Sequence, residues 1–159
     1  MTKKIVICGA ARTPIGALGG QLAELLPRQM AINIFKTVIA QANLDPQHIE
    51  YATVGWVAQD PRSPNIAKTA VEFAGAPVTT PGTTLQENCA SGGAAMHDIA
   101  RRILTGEITL GLAGGVESMS NVPRYLFTGR MKGQQYGDMT LVDGLMGALT
   151  DTTVGKGEL

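Results

Sequence analysis

Segments suited to strands alternate with apolar patterns typical of helices, and this alternation limits the fold more than any other feature of the chain. Apolar residues recur at helical spacing and predict helices over residues 31–42, 66–74 and 96–104. Runs suited to an extended backbone predict strands over residues 4–8, 51–58, 83–88 and 108–113. Strands and helices in this order build an α/β layer architecture around a largely buried sheet.

The sequence changes character near Ser120. The segments before this point have clear periods, whereas glycines are frequent and the period is weak after it. This change predicts an α/β core at residues 1–119 and the beginning of a loop-rich domain at residues 120–159.

Composition excludes several classes of partner. Thirteen basic side chains balance thirteen acidic ones, so no net field attracts nucleic acid or an anionic membrane surface. No apolar run approaches the roughly 20 residues of a membrane span, and the first apolar run is too short for a secretory signal. Cysteine and histidine show no metal-ligand spacing. Two cysteines without a secretory signal are expected to stay free, which predicts a cytoplasmic protein.

Cys89 stands between the predicted strand at 83–88 and the helix that follows. At such a corner the first backbone N–H groups of the helix have no partners within it, and they stabilise a thiolate. Residues 90–95 are small, which leaves room for an acyl group. Cys89 is therefore the candidate nucleophile. The alternative is a small buried side chain, the ordinary role of a free cysteine.

The other cysteine and the histidine that follows Cys89 are expected to take no part in this chemistry. Cys8 lies inside the first apolar run, and its expected place is the core. His97 lies eight residues after Cys89, about 12 Å along a helix, which is too far for contact. It is expected on the polar side of that helix, beside an Asp98–Arg102 pair. Either the helix alone activates Cys89, or its partners lie outside these residues.

Five short segments occur in a characteristic order. They are ARTPIGALGG at 11–20, NIAK at 65–68, NCASGGAA at 88–95, GLAGGVESMS at 111–120 and DGLMGAL at 143–149. Together they resemble the N-terminal half of a thiolase, an acyl-CoA C-acetyltransferase. The most specific part of this resemblance is the pair of motifs that contain CASG and GGVESMS, at this spacing.

The resemblance implies a thiolase-like layered fold, in which a mixed, largely buried sheet is covered by helices and leads into a loop domain. It implies that an acyl-CoA acylates Cys89, and that the acylated cysteine undergoes Claisen condensation with acetyl-CoA. The reverse reaction cleaves a 3-ketoacyl-CoA. It also implies a coenzyme A thioester as the substrate, no permanently bound cofactor, and a homodimer or homotetramer.

Two other functions remain open. A decarboxylating condensing enzyme of the ketoacyl synthase type shares the nucleophile corner, and a non-catalytic lipid-carrier or assembly protein would keep the fold. The activating histidine and second cysteine of the family's other half have no counterpart in this sequence. Residues 153–155 match the family's His-Met-Gly pocket segment imperfectly. The chain is therefore expected to be a fragment without thiolase turnover of its own.

Overall fold

The computed structural model describes residues 4–127, 136–151 and 157–158. The helices are α1 (Pro27–Gln41), α2 (Ile66–Phe73), α3 (Ser91–Thr105) and the short α4 (Gly144–Ala148). The strands are β1 (Tyr51–Gly55), β2 (Gly82–Leu85), β3 (Gly111–Gly115), β4 (Arg124–Tyr125), β5 (Val142–Asp143), β6 (Thr150–Asp151) and β7 (Gly157–Glu158). All three predicted helices are therefore present.

β1 is the central strand of a three-stranded sheet with the order β2–β1–β3. Ala52 lies opposite Gly82 of β2 and Leu112 of β3, and both pairs of strands are parallel. This sheet is therefore parallel throughout, whereas the sequence led us to expect a mixed one. Parallel neighbours need long crossover connections, and α2 and α3 supply them.

Helices cover both faces of the sheet because the side chains along β1 alternate in direction. One face joins the apolar cluster built with α1 and α2, through Ala52, Val54 and Trp56. The other face meets α3, where the Thr53 hydroxyl donates to Asp98 and Gly55 packs against Ser91. This arrangement confirms the α/β fold predicted from the alternation of elements.

The first two helices follow the predicted periodicity. Pro27 occupies the first turn of α1, and the buried face of that helix includes Pro27, Met30, Ala31, Phe35 and Ile39. Asn65 caps α2 by accepting the N–H of Lys68 at 3.1 Å. Gly75, with a φ of 107°, follows the end of α2 as predicted.

The first predicted strand is wrong. Residues 4–8 form no strand, and the Ile7 side chain is 77% exposed. Cys8 is exposed as well, which overturns its expected place in the core. The segment leads past α1, where a Cβ on Gly9 would lie 3.2 Å from the carbonyl oxygen of Val38. None of the described strands pairs with it, and a β-branched composition favours a strand only where a neighbour completes the backbone hydrogen bonds.

The other predicted strands are present but shorter. β1 ends at Gly55, β2 ends at Leu85, and β3 begins at Gly111. Residues 86–90 already turn towards α3, and Ile108 is buried without belonging to the strand. Composition therefore located these strands but not the residues at which their pairing stops.

α3 ends close to its predicted limit but begins at Ser91, before the predicted start at residue 96, and only part of its predicted apolar face, including Ile99, is buried. It ends at Gly106, whose φ of 81° is the predicted left-handed cap. Met96 and Leu104 are each 51% exposed, whereas Asp98 is only 9% exposed. Asp98 was expected on the polar side of the helix, but its hydrogen bond to Thr53 places it on the side that faces the sheet.

Short elements make up the described part of residues 120–151. β4 pairs with β5 and β6 pairs with β7, both in antiparallel fashion. The division into domains at residue 119 stays a prediction, and residues 153–155 lie outside the described residues. Across the described ranges, no helix has both the length and the apolar character needed to cross a membrane.

Candidate active site at the carboxyl ends of the strands

The carboxyl ends of β1, β2 and β3 meet at one edge of the sheet because the strands are parallel. Open parallel sheets bind their ligands outside this edge. Cys89 lies just beyond it, between the end of β2 at Leu85 and the start of α3 at Ser91, and it is exposed. The candidate nucleophile is therefore accessible at the edge where a substrate is expected.

A tight turn connects β2 to α3 around Cys89. Asn88 has a φ of 49°, in the left-handed region that Asn enters more readily than most other non-glycine residues. The N–H of Ala90 donates to the carbonyl of Glu87 at 3.0 Å, and the N–H of Ser91 donates to that of Asn88 at 3.1 Å. Glu87 and Cys89 also form an isolated β-bridge. The turn closes over a few residues and leaves Cys89 exposed.

The Ser91 side chain lies inside this turn and is 4% exposed. Its hydroxyl donates to the carbonyl of Asn88 at 2.6 Å and accepts the N–H of Glu87 at 2.9 Å. The sequence indicates Ser91 only as one of several small residues. A serine hydroxyl that can reach back to the backbone three or four residues earlier is the signal by which it could have been found.

Close contacts between glycines and backbone bring the start of α3 against the sheet. A Cβ on Gly55, at the end of β1, would lie 2.3 Å from the backbone carbon of Ser91. A Cβ on Gly115, at the end of β3, would lie 3.0 Å from the Cα of Gly92. Any side chain at Gly55 or Gly115 therefore forces the helix outward. Gly93 differs from them, since a Cβ there would meet no atom within 4 Å.

The start of α3 carries free backbone donors. Across the part of the chain that the structure describes, the N–H groups of Gly92 and Gly93 have no hydrogen-bond acceptor. Free donors at the start of a helix, together with the positive end of its dipole, favour a negative charge nearby. An exposed thiol beside these donors is what a nucleophile at a helix start requires, and the role of Cys89 stays a prediction.

A charged cluster fixes the middle of α3 to β1. The Asp98 carboxylate accepts hydrogen bonds from the Thr53 hydroxyl at 2.7 Å, from Arg101 at 2.9 Å and from Arg102 at 3.0 Å. The Arg102 guanidinium also lies 3.8 Å from the ring centroid of Tyr51. Burial raises the pKa of Asp98, but the three hydrogen bonds outweigh it and hold the pKa below its usual value.

The segment after β3, which carries the GGVESMS motif, joins three loops at this edge. The Glu117 carboxylate accepts the N–H of Val57 at 3.0 Å, from the loop after β1. The side-chain amide of Asn121 donates to the carbonyls of Ala23 and Leu25 at 2.9 Å and 3.2 Å. Side chains of this segment therefore bond to the backbone of the loop after β1, through Glu117, and of the segment before α1, through Asn121.

A cleft of about 280 Å³ lies next to the GGVESMS segment. Its walls come from residues 12–18, from Met30 and from residues 117–120, and Cys89 does not line it. His97 is exposed and makes no hydrogen bond to Cys89 in the described structure. The residues that the structure describes contain no group of three or more His, Cys, Asp or Glu side chains that could hold a metal ion. The site described here thus consists of a thiol, a turn and a helix start.

Known proteins resemble this chain over nearly its whole length. The family model described as "Thiolase, N-terminal domain" matches residues 5–157. An acetyl-CoA acetyltransferase of Chromobacterium violaceum is 36% identical over 149 residues, and a β-ketothiolase of Cupriavidus necator is 32% identical over 152 residues. These alignments cover 93% and 95% of this chain but 38% of each relative. The chain thus spans a little over a third of the length of these relatives.

Solved structures give the same result. The crystal structure of the acetyl-CoA acetyltransferase of Bacillus anthracis matches with a TM-score of 0.84 and 32% sequence identity. This match covers 93% of the present chain and 37% of the other. The sequence and the fold therefore both match nearly all of this chain to a little over a third of an acetyl-CoA acetyltransferase.

Proposed function

This chain belongs to the thiolase family, and on that premise we propose that Cys89 accepts an acyl group from an acyl-CoA thioester. The observation that carries the proposal is an exposed thiol on a strand-to-helix turn, at the carboxyl edge of a parallel sheet. Free backbone donors at the start of α3 favour a negative charge there. An accessible thiolate is the group that attack on a thioester carbonyl requires.

The first step exchanges one thioester for another. The Cys89 thiolate attacks the carbonyl carbon, a carbon–sulfur bond forms to Cys89, and coenzyme A leaves as its thiolate. Because a thioester is both consumed and formed, the step is close to balanced in free energy. The free N–H groups of Gly92 and Gly93 are available donors to the oxyanion that develops during the attack, and the resemblance to thiolases implies that the N–H of Cys89 is another.

The second step forms or breaks a carbon–carbon bond. The carbanion of acetyl-CoA attacks the acyl-cysteine, a 3-ketoacyl-CoA forms, and Cys89 leaves as the thiolate; thiolytic cleavage is the reverse. A base must take a proton from the methyl carbon of acetyl-CoA to generate the carbanion, and we assign that role to neither histidine of this chain, since both are exposed and have no contact with the Cys89 turn in the described structure. We therefore assign the acyl-accepting step to these residues and the condensation to a complete cytoplasmic enzyme, a homodimer or homotetramer. Its substrates are coenzyme A thioesters, and the chemistry uses no permanently bound cofactor.

Incubation with acetyl-CoA is expected to place one acetyl group on Cys89, because the first step needs only the thiol, the turn and the thioester. Intact-mass and peptide mass spectrometry measure the adduct, and hydroxylamine should release it as a thioester. The Cys89→Ser variant should form no adduct, whereas Cys8→Ser, which removes the other exposed thiol, should form it normally. Equal acetylation of the two cysteines, or an unmodified Cys89 in a chain shown to be folded by circular dichroism, would contradict the proposal.

A further inference from the structure

We infer that Ser91 is a positioning residue for Cys89, and that its hydroxyl holds the turn at Asn88 in the conformation that presents the thiol. The inference rests on the proposed role of Cys89 as the nucleophile. Asn88 is one of two non-glycine residues with positive φ in the described structure, and the other is Asn43. Such a conformation persists where the surrounding contacts compensate for its cost.

The hydrogen bonds of Ser91 supply this compensation. Its hydroxyl accepts the N–H of Glu87 and donates to the carbonyl of Asn88. These two bonds fix the backbone before and after the Cα of Asn88. Both bonds are short, at 2.9 and 2.6 Å, and each adds to the stability of the turn. Two such bonds offset the cost of the left-handed conformation, which is smaller for Asn than for most other non-glycine residues. Because Ser91 is 4% exposed, water has little access to replace the hydroxyl.

Packing limits what can stand at position 91. The end of β1 approaches so closely that an ideal Cβ on Gly55 would lie 2.7 Å from the Cβ of Ser91. A larger side chain at position 91 therefore meets the strand. Alanine fits the space but lacks the hydroxyl, so Ser91→Ala removes the two hydrogen bonds with little change in packing.

The test compares Cys89 with Cys8 in the same molecule, since both thiols are exposed. Iodoacetamide labelling followed by peptide mass spectrometry gives the ratio of the two alkylation rates under native conditions. We expect Cys89 to react about tenfold faster than Cys8 in the parent chain, because only Cys89 lies at a helix start. Ser91→Ala is expected to lower this ratio by about fivefold to tenfold.

A second substitution distinguishes positioning from general damage. Adding Asn88→Gly to Ser91→Ala is expected to restore the ratio, because glycine adopts positive φ without compensating contacts. A ratio that Ser91→Ala leaves unchanged overturns the inference, and so does a ratio that Asn88→Gly fails to restore. A parent chain in which Cys89 reacts no faster than Cys8 overturns the proposed nucleophile as well, so the two failures give different results.

A separate observation concerns Trp56, the single tryptophan of the chain. Its side chain is 2% exposed, and its indole Nε1 has no hydrogen-bond partner among the described residues. A buried donor left unpaired is unfavourable, because it has given up its hydrogen bond to water without a replacement. Trp56 lines a cavity of about 10 Å³ together with Asp60, Arg62 and Ser63. One water molecule needs about 10–15 Å³ of such space and at least two polar partners.

The structure assigns one buried water to this cavity, where it accepts the indole N–H of Trp56 and donates to the Asp60 carboxylate. That carboxylate accepts three hydrogen bonds from Arg62, at 2.8, 3.0 and 2.8 Å. A carboxylate offers about four acceptor positions, so one remains for the water. Leu26 and Pro27 also line the cavity, so the water lies between the loop after β1 and the start of α1.

Nuclear magnetic resonance tests this assignment, because a single tryptophan gives a single indole N–H signal. We expect a cross-relaxation peak between the indole proton and a long-lived water. Ser63→Thr, which adds one methyl group at the cavity wall, should remove the peak while the indole signal remains. The absence of the peak in the parent chain overturns the assignment, and its persistence in Ser63→Thr overturns the location.

Discussion

A Gly55→Ala substitution is expected to destabilise the chain by at least about 3 kcal/mol and to displace the turn that carries Cys89. The new methyl group would lie 2.3 Å from the backbone carbon of Ser91 and 2.4 Å from its carbonyl oxygen. No side-chain rotation relieves a contact with main-chain atoms, so the start of α3 must move away from β1. That movement also stretches the hydrogen bond between Thr53 and Asp98, which adds to the loss.

Urea unfolding followed by the fluorescence of Trp56 measures this loss. Gly93→Ala is the matched control, because it adds the same methyl group near the same helix start but meets no atom within 4 Å. It should be neutral or stabilise the chain by up to about 1 kcal/mol, since alanine favours a helix more than glycine does. If Gly55→Ala does not fold, Gly115→Ala provides a milder clash, at 3.0 Å from Gly92. A free energy of unfolding for Gly55→Ala equal to that of the parent chain would show that helix and strand are not packed this way.

The second large effect is expected for Asp98→Ala, at about 3 kcal/mol near neutral pH. The substitution removes the acceptor of the buried Thr53 hydroxyl and of the Arg102 guanidinium at the contact between helix and sheet. Combining it with Thr53→Val should cost less than the sum of the single changes, because both partners of one hydrogen bond are then absent. Arg101→Ala is the control, since the Arg101 side chain is 76% exposed and its ion pair contributes at most about 1 kcal/mol.

The contribution of Asp98 should also depend on pH in one direction. Its pKa in the folded chain lies below the ordinary value of 3.8, which applies to the unfolded chain. The carboxylate therefore contributes its full stabilisation above that value and loses it as the pH falls through the lower, folded pKa. The difference in unfolding free energy between the parent chain and Asp98→Ala should shrink below about pH 4. A difference that stays constant through the acid range would rule out Asp98 as the charged anchor of α3.

Periodicity alone located the three main helices, because a helix buries one side of a repeating pattern and that pattern is local. It did not fix the orientation of α3. Met96 and Leu104 match the helical apolar pattern, yet the hydrogen bond of Asp98 to Thr53 turns a charged residue inward instead. The strand predicted at residues 4–8 was wrong for a related reason, because strand formation depends on a neighbouring strand that local composition does not reveal.

Some residues of the candidate site could likewise be predicted from the sequence, and others could not. Cys89 could be chosen from the sequence because a strand-like run, small residues and a helical pattern all lie beside it. Gly55 could not, because its importance comes from Ser91, which is distant in sequence and adjacent only after the sheet has formed. The role of Ser91 depends on the backbone directions within one turn, and a string of small residues does not specify those directions.

The hydrogen bonds of the Cys89 turn also differ from the loop bridge of Glu117 in how far along the chain they reach. Ser91 bonds to residues three and four positions earlier, whereas Glu117 reaches Val57 across 60 positions. In the folded sheet Gly55 already pairs with Gly115, so the Glu117 bridge closes only the few residues beyond that pair. The bridge therefore depends on the pairing of β1 with β3, whereas the hydrogen bonds of Ser91 lie within the turn between β2 and α3. Separation of β1 from β3 is expected to break the loop bridge and to leave the local bonds of the cysteine corner in place.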